Sequence, residues 1–320
     1  MKFLPKFNLL KLVFERLTQL KTPNMRLGIV CLLLFLISNL YSQKITLEKL
    51  QQQIQQEFSR SPGTFAVAFQ DLKKKRNQLY INEKENFHAA STMKTPVLVE
   101  VYKQAAAGKF KLTDSLVVKN EFKSIVDGSP FSLELSDDSE PKLYQKLGQK
   151  VSIYDLCYEM IIFSSNLATN IIIELVDAKN VTQTMRDLGA KDIQVRRGVE
   201  DGKAFEKGLN NTTTAYDLML LFTQLGKRKL INKAACDAMI QILLDQKFNE
   251  VIPAQLPKDV KVAHKTGWIT KVRHDSGIVI LPDGRKYVMI LLSKGWESDE
   301  MATEVMANVS RLVYEYYIQL

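Results

Sequence analysis

Side chains that commonly hold metal ions are scarce in this chain, which contains only three histidines and three cysteines among 320 residues. The histidines are His88, His264 and His274. Their spacing matches no metal-ligand motif, and no pair of carboxylates accompanies them. We therefore expect no metal site and no other cofactor.

The few cysteines also limit the disulfides that the protein could form. Cys31 lies in an apolar run near the start, so only Cys157 and Cys236 remain for the folded part of the chain. Two cysteines allow one disulfide in an exported protein, but nothing in the sequence brings these two together. We interpret both as small buried apolar residues and leave their pairing open.

Long apolar runs are scarce as well, and the clearest one, at residues 27–37, is shorter than the roughly 20 residues that a spanning helix needs. It follows Met25 and a basic residue and precedes small and polar residues, which is the layout of an export signal. We expect residues 1–42 to be a signal peptide cleaved near Ser42, so that the protein is exported and becomes periplasmic or secreted. The true start is Met1 or Met25, and an uncleaved anchor is the alternative.

The net charge of +9 is concentrated at the start of the chain. Residues 1–42 hold six Lys or Arg and one Glu, so they account for +5 and leave +4 for the remainder. No basic stripe with interleaved aromatic residues is left, which argues against nucleic-acid binding. We expect a monomer without a stable membrane partner.

Internal repeats, low-complexity tracts and linkers are absent from the sequence, and its organisation follows from the order of helical and strand patterns. The periodicity predicts a helix over 45–58, strands over 64–72 and 78–82, a helix from Ser91 to Ala107, a helical block that includes a helix opening at Thr212, strands over 260–268, 275–281 and 286–293, and a last helix. We expect an α/β layer built by residues 43–108 and 255–320, with residues 109–254 inserted as a helical part.

A serine and a lysine occur three positions apart in Ser91-Thr92-Met93-Lys94, at the predicted start of a helix. Residues at this spacing share a helix face, so the Lys94 amine can reach the Ser91 hydroxyl. The lysine can take the serine proton only if burial or nearby positive charge lowers its pKa. By itself the spacing is also typical of an ordinary helix start with a solvated lysine.

Two more short motifs follow in order, Ser164-Ser165-Asn166 and Lys265-Thr266-Gly267. The three motifs together resemble those of the penicillin-recognising serine hydrolases, the group of class A β-lactamases and penicillin-binding proteins. The resemblance covers essentially the whole mature chain. It implies a catalytic domain over residues 43–320, with an antiparallel sheet flanked by the N- and C-terminal helices and an inserted all-helical domain.

The resemblance also implies which residues carry the chemistry. Ser91 would be the nucleophile of an acyl transfer, with the exposed amides of its helix start helping to stabilise the oxyanion. Lys94 would be its base or proton relay. Ser164 would pass a proton to the leaving nitrogen.

The substrate would be held by residues of the second and third motifs. Asn166 would bind the side-chain amide of the substrate, and Lys265 would attract its carboxylate. Gly267 would leave room for the substrate backbone beside Thr266, and the second oxyanion amide would come from near Trp268 or Ile269. Arg273 matches approximately the position of a family cation for the same carboxylate, and an ordinary hairpin charge is the equal alternative.

The residue that would release the acyl group is less well defined by the sequence. Glu206-Lys207-Gly208-Leu209-Asn210 matches the Glu-x-x-Leu-Asn motif of class A β-lactamases, so Glu206 is the predicted deacylating base and Asn210 a predicted substrate-site residue. The loop between Asn210 and Thr212 is shorter than the family pattern. If Thr212 sets the alignment, Glu206 is only a loop carboxylate, and Glu200 and Asp201 are the alternatives.

The resemblance therefore implies a serine β-lactamase of class A type, which hydrolyses the cyclic amide of a β-lactam and so confers antibiotic resistance. A cell-wall D-alanyl-D-alanine peptidase or transpeptidase with slow deacylation shares every residue except the deacylating base. Ser165, where class A enzymes commonly have aspartate, favours that alternative slightly. Related glutaminases, esterases and a β-lactam sensor that is acylated once also remain open.

Overall fold

The strands of the protein come mainly from its two ends. The computed structural model describes residues 44–320, so the predicted signal peptide and Cys31 lie outside the described residues. Within residues 44–320, none of the helices combines the length and the apolar character needed to cross a membrane. The strands are β1 (Thr64–Asp71), β2 (Gln78–Ile81), β3 (Phe87–His88), β4 (Ser115–Val117), β5 (Phe122–Lys123), β6 (Pro130–Phe131), β7 (Lys150–Ser152), β8 (Thr212–Thr213), β9 (Lys261–Ile269), β10 (Val272–Ile280) and β11 (Lys286–Lys294).

Five of these strands form one sheet in the order β2-β1-β11-β10-β9, and every neighbouring pair in it is antiparallel. β9 therefore lies at an edge of this sheet, with a strand partner on only one side among the described residues. The remaining short strands pair as β3 with β8, β4 with β7 and β5 with β6.

The helices surround this sheet and fill the middle of the chain. They are α1 (Leu47–Phe58), α2 (Lys94–Ala106), α3 (Ile153–Ile162), α4 (Asn166–Val176), α5 (Ala178–Asp187), α6 (Gly202–Glu206), α7 (Ala215–Gly226), α8 (Lys233–Leu244) and α9 (Asp299–Tyr317). Short 3₁₀ turns occur at Ala90–Met93, Leu135–Asp137 and Pro141–Lys146.

Both faces of the sheet are covered by helices. β1 and β11 are buried along nearly their whole length instead of alternating between buried and exposed residues. Such continuous burial is expected when helices pack on both sides of a sheet. α7 packs against β1, β10 and β11, and α9 packs against β10, β11 and α1. The predicted α/β fold with an antiparallel sheet flanked by the terminal helices is confirmed.

Three local predictions differ from the structure. The chain at Ser91 forms the 3₁₀ turn Ala90–Met93, and the α-helix begins only at Lys94. Thr212 does not open a helix, because Thr212–Thr213 pairs with Phe87–His88 and Thr214 caps α7. β10 begins at Val272, earlier than predicted.

The middle of the chain contributes helices and short paired strands, and residues 47–318 belong to one compact unit. The polar segment from 110 to 152 forms two of the short strand pairs. The division at residues 109 and 254 into an α/β part and an inserted helical part stays a prediction.

Candidate active site

Ser91 lies in a sharply bent turn. Ala90 has a φ of 44°, a left-handed conformation that is uncommon for any residue other than glycine. The bend is held by Ala90 N, which donates to His88 Nδ1 at 3.0 Å, and by the Thr92 hydroxyl, which donates to Ala89 O at 2.6 Å. Ala90 and Thr92 are buried and Ser91 is half-buried, so Ser91 is more accessible than its two neighbours in the turn.

The edge strand β9 passes close to this turn. A β-carbon placed on Gly267 would lie 3.2 Å from Ser91 N, 3.2 Å from Ala90 Cβ and 3.2 Å from Thr92 Cγ2. Most real β-carbon contacts are looser than this, so glycine permits the approach. The backbone of β9 and the Ser91 N–H thereby border the same small space.

Lys94 is fully buried at the start of α2. Its Nζ donates to Ser164 O at 2.7 Å, to Ser164 Oγ at 3.2 Å and to Asn166 Oδ1 at 2.9 Å. Burial lowers the pKa of Lys94 to about 7, although the Asp138 and Glu200 carboxylates oppose this shift. An amine with such a pKa is partly neutral at physiological pH, as a general base must be.

Ser164 Oγ lies between two lysines. Lys265 Nζ donates to it at 3.0 Å and to Thr266 O at 2.9 Å. Burial, and then the positive charge of Lys94, lower the pKa of Lys265 well below its usual value, whereas Asp275 raises it. Ser164 itself has a φ of 61°, so the turn that presents its hydroxyl adopts a left-handed conformation. The hydroxyl is placed to carry a proton between the two amines.

Asn166 connects the second motif to two neighbouring segments. Its Oδ1 accepts from Lys94, and its Nδ2 donates to the backbone carbonyl of Asp137 at 2.9 Å. The same Nδ2 lies 3.4 Å from Glu200 Oε1. These contacts fix which end of the amide faces Lys94.

Glu200 is the carboxylate that the structure brings to this group. Glu200 has a backbone φ of 59°, and the residue as a whole is exposed. Desolvation of its carboxyl group nevertheless raises the pKa of Glu200, and the negative charge of Asp137 raises it further. The preceding backbone is held by Asn170, whose Oδ1 accepts from Val199 N at 2.7 Å and whose Nδ2 donates to Val199 O at 3.0 Å. A β-carbon on Gly198 would lie 2.2 Å from Asn170 Oδ1, so this close pairing requires glycine.

Glu206 and Asn210 lie elsewhere in the same loop. Glu206 is the exposed last residue of α6, and the contacts of Lys94, Ser164 and Asn166 do not include it. Asn210 Oδ1 accepts from Arg197 Nη2 at 3.3 Å. Glu200, and not Glu206, is therefore the loop carboxylate that contacts the second motif, through Asn166.

Arg273 and Trp268 lie directly opposite each other in the pairing of β10 with β9. Arg273 Nε donates to Thr303 Oγ1 at 2.9 Å and lies 3.7 Å from Asp299 Oδ1, so its guanidinium is engaged with α9. Because directly paired residues share a sheet face, the Trp268 side chain, which is 60 % exposed, leaves β9 on the same side. The structure places neither side chain in contact with Ser164 or the two lysines.

Sequence reasoning missed the contributions of a turn-rich segment. Asp137 provides a carbonyl to Asn166, and Asp138 provides a buried carboxylate to the Ser164–Asn166 turn. The composition of this segment is polar and rich in turn residues, which is typical of a surface loop. The two adjacent acidic residues were the one available signal.

The histidines make other contacts. His264 Nδ1 lies 2.8 Å from Asp275 Oδ1, and His274 Nε2 lies 2.8 Å from His88 O. Burial lowers the pKa of His274 to about 4. Among the described residues, no group of three or more His, Cys, Asp or Glu side chains is arranged around a common metal position.

The chain is similar to several proteins named as β-lactamases. It is 22 % identical over 255 residues to the β-lactamase VEB-1 of Pseudomonas aeruginosa, an alignment that covers 76 % of this chain and 82 % of VEB-1. It is 27 % identical over 227 residues to a β-lactamase of Bacteroides uniformis, covering 65 % of this chain and 76 % of that protein.

Solved structures show the same fold. The structure of PBP-A matches with a TM-score of 0.73 and 30 % identity, covering 87 % of this chain and 98 % of PBP-A. A β-lactamase of Sphaerobacter thermophilus matches with a TM-score of 0.74 and 22 % identity, covering 86 % of this chain and 99 % of that protein.

The family comparison covers nearly all of the described chain. Residues 49–317 match the model of a single family, from α1 to the end of α9. The chain belongs to the β-lactamase enzyme family.

Proposed function

We propose that the protein is a serine β-lactamase of the class A type, which hydrolyses the β-lactam amide through an acyl-enzyme on Ser91. One observation carries this proposal. The two fully buried lysines, Lys94 and Lys265, both donate to Ser164 Oγ beside the turn that holds Ser91. This arrangement supplies a base and a proton path within one water-poor site.

Acylation begins when Ser91 Oγ attacks the carbonyl carbon of the β-lactam and neutral Lys94 takes the hydroxyl proton. The carbonyl oxygen becomes an oxyanion, which accepts a hydrogen bond from Ser91 N–H and a second from the β9 backbone near Trp268. When the carbon–nitrogen bond breaks, the ring nitrogen receives a proton from the Ser164 hydroxyl. Ser164 recovers its proton from the protonated Lys94.

Substrate binding uses the edge of β9. The Lys265 ammonium and the Thr266 hydroxyl attract the substrate carboxylate, and the substrate backbone lies along β9 where Gly267 has no side chain. Asn166 offers its side-chain amide to the acyl amide of the substrate. Since the Arg273 guanidinium is engaged with Thr303, we assign the carboxylate to Lys265 and Thr266.

Deacylation needs a base that activates water, and we propose Glu200 for this step in place of Glu206. Glu200 lies against Asn166, and its raised pKa suits a carboxylate that accepts a proton during the reaction. Water attacks the ester carbonyl while Glu200 takes one of its protons. The ester bond then breaks, and the Ser91 oxygen receives that proton as the product acid leaves.

A cell-wall D-alanyl peptidase is the second candidate, and one comparison favours it. The PBP-A structure is 30 % identical to this chain, and a second solved structure is an acyl-enzyme complex of a PBP-A mutant with penicillin G. The two candidates share the acylation residues and differ in the rate at which the acyl group leaves.

Mass spectrometry after brief incubation with a penicillin tests the proposal. We expect an adduct of the intact penicillin on Ser91 that disappears as the substrate is consumed, and we expect Ser91→Ala to form no adduct and to turn over no chromogenic cephalosporin. An adduct that persists for hours would identify the peptidase alternative. A wild-type protein that forms no adduct and turns over no substrate would contradict both candidates.

The predicted signal peptide bears on where the protein is located. We propose that residues 1–42 direct export, that cleavage occurs near Ser42, and that the mature protein acts as a periplasmic or secreted monomer without a cofactor. The apolar run at residues 27–37 after a basic residue supports the export signal.

A further inference from the structure

Asp138 contacts the Ser164–Asn166 turn from a neighbouring segment, residues 134–146, which we call the facing loop. Asp138 is 9 % exposed. Asp138 Oδ2 accepts from Leu167 N at 2.8 Å and from Ser165 Oγ at 3.3 Å. A nearly buried carboxylate with these partners adds negative charge at the N-terminus of α4, where it is stabilising.

The hydrogen-bond directions around Ser165 are mutually consistent. Its hydroxyl oxygen accepts from Ala168 N at 3.2 Å as the cap of α4, so its one hydrogen is available for Asp138. The other carboxylate oxygen of Asp138 accepts from Glu140 N at 3.0 Å, which fixes the carboxylate within its own loop.

The residue before Asp138 contacts the same turn through its backbone. The Asp137 carbonyl accepts from Asn166 Nδ2 at 2.9 Å and leaves Asn166 Oδ1 for Lys94. Two consecutive residues of the facing loop thus fix both the backbone of the turn and the orientation of the Asn166 amide.

We propose that Asp138 is a positioning residue. It supplies, from the facing loop, a carboxylate to the turn in which Ser165 stands where class A enzymes commonly have aspartate, and it thereby keeps Ser164 and Asn166 within hydrogen-bonding distance of Lys94. This inference rests on the proposed function, because it assigns Asp138 a part in the same reaction. The facing loop is accordingly a structural part of the active site.

The charge of Asp138 acts on the groups around it. Lys94 is faced by the Asp138 and Glu200 carboxylates, by neutral Ser164 and Asn166, and across Ser164 by Lys265. Asp138 in turn faces Tyr144, whose pKa is raised by burial and further by Asp138, and Glu200, whose pKa it also raises. The negative charge of Asp138 favours protonated Lys94, so we expect its removal to lower the pKa of Lys94 further.

Amide hydrogen exchange tests the contact without any substrate. We expect exchange at Leu167 N–H to be at least about tenfold faster in Asp138→Ala than in the wild type, because the amide loses its acceptor. Asp137→Asn is the matched control, since it removes a carboxylate from the same loop but keeps the backbone carbonyl, and it should leave Leu167 exchange unchanged. Equal exchange in the wild type and Asp138→Ala overturns the proposal.

Acylation kinetics of the full chain test the role in the reaction. Asp138→Asn keeps the side-chain shape, and we expect the acid limb of its kcat/KM profile to move at least about 0.5 pH units lower. We expect Asp138→Ala to reduce kcat/KM about 10- to 100-fold through misplacement of Ser164 and Asn166. Adding Ser165→Asp to the Asp138→Ala variant should raise kcat/KM at least about fivefold, because the new carboxylate reaches the same start of α4.

The outcomes separate this inference from the proposed function. An unmoved acid limb in Asp138→Asn, or no recovery when Ser165→Asp is added, overturns the positioning role. If the wild type forms no acyl-enzyme, the proposed function fails, and the Leu167 exchange measurement still decides whether Asp138 holds the turn.

Discussion

Lys94 and Lys265 show how burial determines the chemistry of single residues in this site. Both side chains are fully buried, and both donate to the Ser164 hydroxyl. Two ammonium groups that share one acceptor oppose each other's protonation, so the pair favours a state in which one amine is neutral. Burial lowers the pKa of Lys94 to about 7, and the Asp138 and Glu200 carboxylates oppose this shift.

The proposed role of the Glu200 carboxylate in deacylation gives a prediction for a single residue. Glu200→Gln keeps the contact with Asn166 but cannot accept a proton, so we expect acylation by penicillin at a nearly normal rate and deacylation slowed about 10²- to 10⁴-fold. Stopped-flow acylation and mass spectrometry of the trapped adduct measure the two steps separately.

Glu206→Gln is the matched control, because it makes the same chemical change on the exposed last residue of α6. We expect it to turn over a chromogenic cephalosporin at the wild-type rate. If the acyl adduct accumulates in Glu206→Gln and turnover is normal in Glu200→Gln, the deacylating base is Glu206 and not Glu200.

The sequence alone could not decide between these glutamates for a physical reason. The letters around Glu206 match a motif, but α6 leaves that side chain exposed, while a left-handed backbone at Glu200 turns the chain toward Asn166. The conformation of a loop residue depends on partners distant in sequence, here the pairing of Asn170 with Val199. Ser91, Lys94 and Ser164 could be proposed from the sequence because their motifs are local.

At the scale of elements, the site depends on the approach of β9 to the 3₁₀ turn Ala90–Met93. Periodicity predicted both elements, but it placed Ser91 in an α-helix. Ser91 lies in the 3₁₀ turn and Lys94 begins the α-helix, so the two residues belong to different elements, and the reach of the Lys94 amine to the Ser91 hydroxyl stays a prediction. The distance between the turn and β9 is a tertiary feature that only Gly267 indicated.

Gly267→Ala tests this approach. The added methyl group would lie 3.2 Å from Ser91 N, so the strand or the turn must shift by a few tenths of an ångström. The methyl group would also narrow the space between Ser91 N–H and β9 in which we propose that the oxyanion binds. We expect acylation by penicillin to slow about 10²-fold, with a cost of about 1–3 kcal/mol in the free energy of unfolding.

Gly202→Ala is the control for the glycine prediction. A β-carbon at Gly202 would meet no atom within 4 Å, and the residue lies at the exposed start of α6. We expect the acylation rate of this variant to equal that of the wild type. Normal acylation by Gly267→Ala would show that the approach of β9 does not limit the reaction.

At the scale of the whole molecule, the order of helical and strand patterns along the chain was enough to predict the architecture. Contacts between segments that are distant in sequence could not be predicted. The two ends of the chain build the sheet because their strand patterns are long and bounded by clear turns. The position of the facing loop depends on Asp138 reaching Leu167, and nothing in the local sequence of either residue indicates the other. The short pairing of Thr212 with His88 was missed for the same reason.

The free cysteines give a prediction for the protein as a whole. Cys157 in α3 and Cys236 in α8 are both unpaired and fully buried, which confirms the interpretation as small apolar residues. Burial raises the pKa of the Cys157 thiol, so the reactive thiolate is disfavoured.

We therefore expect the melting temperature to be the same, within about 1 °C, with and without a reducing agent, because a disulfide would add about 2–4 kcal/mol of stability that reduction removes. A Cys31→Ser protein is used so that only these two thiols are present. A thiol reagent should modify neither cysteine in the folded protein and both after unfolding, since both side chains are fully buried in the fold. A lower melting temperature on reduction would show that the two helices are joined by a disulfide in the exported protein.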